Sequence, residues 1–153
     1  MISTALVLTL SLLATPSDDP LLDAALARAG DNRAELEAAI EGVPESQRAS
    51  MEFLIRYMPA GDLRSLSTGF LVEHVTEAHA AWAAAPWASS MPDEVFLNHV
   101  LPYASINERR DAWRADFRAR FGPLVADAKT ASEAAAILNN EVFPMVEVIY
   151  STK

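Results

Sequence analysis

PWASSMPDEVFLNHVLPYASINERRDAWRADFRARF, residues 86–121, decides the fold. Pro92 followed by Asp93 and Glu94 is a helix start, because proline tolerates the first turn and the carboxylates sit where the helix dipole is positive. Phe96, Leu97, Val100 and Leu101 then recur at steps of three and four, the spacing of a buried helical face. Pro102, Tyr103, Ala104 and Ser105 break that pattern. Asn107 is placed to cap a second helix, predicted from Glu108 to Phe121, on which Trp113, Phe117 and Phe121 form an aromatic stripe expected to lie in the core. Arg110, Arg114 and Arg118 run along the adjacent face.

Helical signals continue upstream. Asp19 and Pro20 read as N-cap and first position of a helix through Leu26 that Gly30 stops, and Asn32 with Glu35 has the form of a capping box for the next. Pro44 opens a third helix carrying Met51, Leu54, Ile55 and Met58. The segment Ala60 to Thr68 reads as a loop with one possible turn near Leu63. Ser67 or Thr68 caps a helix through Leu71, Val75, Ala78 and Trp82, which Pro86 stops. Downstream, Thr130 with Glu133 forms another capping box, and Met145 to Tyr150, apolar, β-branched and bounded by Pro144, reads as a strand. The expectation is an all-α, compact domain of about six to seven helices with a short C-terminal extended segment.

At 153 residues and 51% apolar content the chain is long enough to bury a core without metal or disulfide. Twelve basic against twenty-one acidic residues give a net charge of −9, which disfavours nucleic acid and anionic lipid. There is no cysteine, hence no disulfide, thiol nucleophile or lipoprotein anchor. The apolar run Ala5 to Ala14, too short to span a bilayer and followed by Thr15, Pro16 and Ser17, reads as a signal peptide over residues 1–17. The protein is therefore expected to be exported, to the periplasm or beyond, with no stable membrane anchor. The helical domain is assigned to 18–144 and a strand-like tail to 145–153.

Taken together, "MEFLIRYMP", "PW", "FLNHVLPYASINERRDAWRADFRARFGPL" and the closing "VEVIYSTK" resemble the helical domain that precedes the catalytic core of bacterial exported transglutaminase-like proteins. That core has the papain-like fold and uses cysteine, histidine and aspartate. The resemblance implies a non-catalytic accessory domain whose partner is a transglutaminase-like core, in cis or in trans. No catalytic residue of such a core maps onto this chain. The tail, with apolar side chains on both faces, is expected to be buried by that core and, in the isolated chain, to self-associate or fray unless it folds back onto the helices.

No residue is assigned to catalysis, cofactor or metal. His74 and His79 stand five apart rather than three or four, and no HExxH or GxSxG sequence occurs. The residues selected as a possible ligand or interface site are Trp87, Tyr103, Asn107, Glu108 and Arg114. Asn107 and Glu108 either latch the break after Pro102 or, with Tyr103 and Trp87, line a cleft for a peptide or sugar. The arginine stripe, interleaved with Asp111 and Asp116, is either a solvated ion-paired face or lets Arg114 turn inward to hold a carboxylate, with Glu108 as the partner. A scaffold domain, a stand-alone extracytoplasmic binding module and a free-standing enzyme are the three function classes weighed.

Overall fold

The computed structural model describes residues 19–105 and 108–147. All of the regular structure there is helical: α1 Pro20–Arg28, α2 Arg33–Gly42, α3 Glu45–Arg56, α4 Ala60–Leu63, α5 Thr68–Ala84, α6 Asp93–Val95, α7 Arg114–Val125 and α8 Ala131–Met145. Asp19 caps α1 by accepting from the amides of Leu21 and Leu22, and Gly30 turns the chain at a φ of 60°, where a side chain would be strained. Ser67 accepts from Phe70 N to start α5, and Thr130 from Glu133 N to start α8. The Glu133 carboxylate reaches Lys129 N rather than the cap residue's own amide.

The core is built by α1, α2, α3 and α5, with α1 on α3, α2 on α5, and α3 between α2 and α5. Leu36, Met51, Ile55, Leu63, Leu71, Val75 and Leu101 are fully buried there. The α7–α8 hairpin packs on this core through α5, and of its residues Phe121, Ala128 and Ala134 are buried. Among the described residues no helix is long and apolar enough to cross a membrane.

Several expectations are corrected. The Asn32–Glu35 capping box does not form: the Asn32 amide donates to the carbonyls of Leu63 and Leu66, and Glu35 holds Thr68. Both side chains tie α2 to the α4–α5 connection, where two carbonyl acceptors outweigh one local cap. The helix predicted from Glu108 begins six residues later, at Arg114, because Glu108, Arg110 and Trp113 are bonded back to Ser105, Asp62 and Tyr103. The aromatic stripe is graded rather than buried, with Phe121 in the core, Trp113 half-buried and Phe117 44% exposed. Met145 belongs to α8, not to a strand, since the last turn is closed by Val146 N on Val142 O and Glu147 N on Pro144 O. The rest of the predicted strand, 148–150, lies outside the described residues, as do the predicted signal segment and Asn107.

Candidate functional site: a latched break between α6 and α7

After Val95 the α6 helix widens into a π turn, Phe96–Val100, with Leu101 N bonding Phe96 O at 2.8 Å. Pro102 cannot donate, so the helix stops and leaves terminal carbonyls without backbone partners. Side chains take them up one after another. Arg114 Nη2 donates to Val100 O and to Pro102 O (3.1 Å), His74 Nε2 to Leu101 O (2.7 Å), and Trp113 Nε1 to Tyr103 O (3.2 Å). Four consecutive carbonyls are thus held by three side chains from α5 and the start of α7.

His74 is buried among Phe70, Tyr103 and Trp113. A carbonyl only accepts, so Nε2 carries the proton, and Arg114 Nε lies against the imidazole, 3.3 Å from Nδ1 and 3.2 Å from Nε2. Burial is the main reason its pKa falls to about 4; the Leu101 bond opposes the shift and the Arg114 charge adds to it. The imidazole is neutral at ordinary pH.

On the other side of the break, the Asp62 carboxylate on α4 accepts from Tyr103 Oη at 2.7 Å and from Arg110 at 2.8 Å (Nη2) and 3.1 Å (Nε). Arg110 also donates to Glu108 O and lies over the Tyr103 ring. Burial first, then the bond to Asp62, pushes the Tyr103 hydroxyl far above its ordinary pKa, so it stays a donor. Arg110 is raised chiefly by its bond to Asp62. With its oxygens occupied by a phenol and a guanidinium, Asp62 ties α4 to the break.

The sequence-selected residues divide accordingly. Tyr103, Glu108 and Arg114 line one cleft of about 700 Å³ beside the break. Trp87 is not in it. It lines a groove of about 610 Å³ between the C-terminal half of α5 and α7, which shares Trp113 and Arg114 with the cleft. Glu108 does not pair with Arg114, since its carboxylate closes a turn by accepting from Ser105 N at 2.7 Å. An inward guanidinium holding a carboxylate does exist, but it is Arg110 on Asp62, while Arg114 caps carbonyls. Arg118 pairs with Glu77, and Arg109 and Arg120 pair with Asp111 and Asp116.

Asp62, Arg110 and His74 are the residues that sequence reasoning missed as a unit. Arg110 stood in the stripe, but nothing local links it to a carboxylate 48 positions upstream. A third cavity, about 560 Å³, opens over this cluster between Phe53, Tyr57, Met58 and Leu97, with Tyr57 62% exposed at its lip. Elsewhere, Ser50 Oγ meets His79 Nε2 at 2.9 Å, and the His79 ring packs on Phe96. Among the described residues no group of three or more His, Asp or Glu side chains could hold a metal ion. Comparison with protein-family models, with curated proteins and with solved structures returns no match.

Proposed function

We propose that this chain is a non-catalytic helical domain that works through protein contact, as the accessory part of an exported transglutaminase-like protein. One observation carries the reading. Polar side chains in and beside the segment that bears the resemblance hold the chain: Arg114, His74 and Trp113 hold four carbonyls, and Asp62, Tyr103 and Arg110 bind one another. A segment built this way offers a rigid shape rather than a reacting group. The papain-like core, with its cysteine nucleophile, would be supplied in cis or in trans. Export rests on the apolar run at Ala5 to Ala14.

The test is to read the reading frame and its neighbours beyond codon 153 and to titrate this chain against any papain-like core found there by calorimetry. A core that binds supports the accessory role. A gene context with no such core, or a core that does not bind, refutes it. The second reading, a stand-alone extracytoplasmic peptide- or glycan-binding module, is favoured by the aromatic groove beside Trp87.

A further inference from the structure

Arg114 carries a charge that no carboxylate of the described residues neutralises. Around it lie the carbonyls of Val100 and Pro102, the neutral ring of His74 and the face of Trp113, whose centroid is 4.6 Å from the guanidinium carbon. The ion pairs of the described residues are all made by other arginines. Burial lowers the Arg114 pKa to about 10, as desolvation does to a cation without a counter-charge. Its Nη2 and Nε are engaged, whereas Nη1 makes no hydrogen bond within the described residues, which leaves donors for a ligand.

Arg114 stands on the wall of the groove between α5 and α7, with Trp87, Trp113 and Phe117. Phe117 is 44% exposed, a large apolar surface in the first turn of α7. The groove's acid, Glu77, is already bound by Arg118 at 3.0 Å, so the local balance is positive on a chain whose net charge is −9. A groove that is apolar along its length and has an uncompensated cation at one end selects a ligand of the same pattern with opposite charge.

We propose that this groove binds an apolar peptide segment bearing one carboxylate side chain, with the carboxylate on Arg114 Nη1 and the apolar side chains on Trp87 and Phe117. The inference rests on reading the chain as a domain that acts through protein contact, and it names the chemistry of the partner. A neutral sugar would stack on the aromatic rings but leave the Arg114 charge unmatched. A basic segment would add to it.

The probe is acetyl-Leu-Glu-Phe-amide, titrated into the full chain by calorimetry beside its glutamine counterpart. Expected is a dissociation constant of about 0.1–1 mM for the glutamate peptide and binding roughly fivefold weaker for the glutamine peptide. The gap should narrow as salt is raised. Phe117→Ser, at a half-exposed site whose truncation should leave the chain folded, should weaken both peptides about equally. Arg114→Met, if it folds, should abolish the preference for glutamate; if it does not, the salt dependence and Phe117→Ser decide. Equal affinity for the two peptides, or no heat of binding at peptide concentrations of ~1 mM, overturns the proposal. A transglutaminase-like core that binds wild type and Phe117→Ser equally would overturn the groove while sparing the accessory role. Peptide binding without any adjoining core would support the groove and remove that role.

Discussion

Acidification should unlatch the α6–α7 break through His74, and the size of the effect follows from its surroundings. The imidazole is buried and neutral, its Nε2–H on Leu101 O and the Arg114 guanidinium against its ring. A second proton would place a buried cation beside the Arg114 guanidinium, and among the described residues no carboxylate pairs with His74. The native pKa of about 4 lies below the ordinary 6.5 of the unfolded chain. Between those values the unfolded state binds the extra proton and the native state does not. Stability is therefore fully present above about pH 6.5 and falls as pH drops toward 4. The gap corresponds to about 3 kcal/mol, of which about 2.5 kcal/mol is lost between pH 7 and pH 4.5. That is a large share of the ~5–15 kcal/mol that holds a domain together. His79, also lowered by burial, acts in the same direction, so the comparison must be with a variant. Urea unfolding of wild type and His74→Gln, followed by circular dichroism at both pH values, isolates the contribution. The variant should be less stable at pH 7 and nearly level with wild type at pH 4.5. An equal pH dependence in the two proteins, or a native His74 that titrates near 6.5 by NMR, would refute the reasoning.

The hydrogen bond from Tyr103 to the Asp62 carboxylate makes Tyr103→Phe worth about 1.5–3 kcal/mol by denaturant titration, and Asp62→Ala should cost more because it strands two donors. Phe121→Ala should cost about 3–4 kcal/mol whereas Phe117→Ala should cost under about 1, which calorimetric melting can separate; equal losses would contradict the graded burial of the stripe. Asn32→Ala removes two bonds to the carbonyls of Leu63 and Leu66 and should destabilise by about 2 kcal/mol, with faster amide exchange in α4. An unchanged melting point would contradict the role given to these two bonds.

Read from the sequence alone, the chain gives its class and most of its helix boundaries, because those depend on interactions between near neighbours. Asp19, Ser67 and Thr130 cap helices through amides two or three residues away, and the three- and four-residue spacing of Leu71, Val75 and Ala78 needs only a core to face. The Trp87, Tyr103, Glu108 and Arg114 region was likewise marked by its prolines, aromatics and charges. Partner choice was not legible. Asn32 and Glu35 have the local form of a capping box, yet both are captured by a segment some thirty positions away, since carbonyls and a threonine there offer more bonds than one helix end. Among Arg110, Arg114 and Arg118, spacing makes three equivalent residues on one face. Only the packing of α4, α5 and α7 gives the first a buried carboxylate, the second a row of orphan carbonyls and the third a surface glutamate. A guanidinium's donors suit all three acceptors, so its role is set by which of them the fold brings within reach, and that distance is a property of the tertiary structure alone.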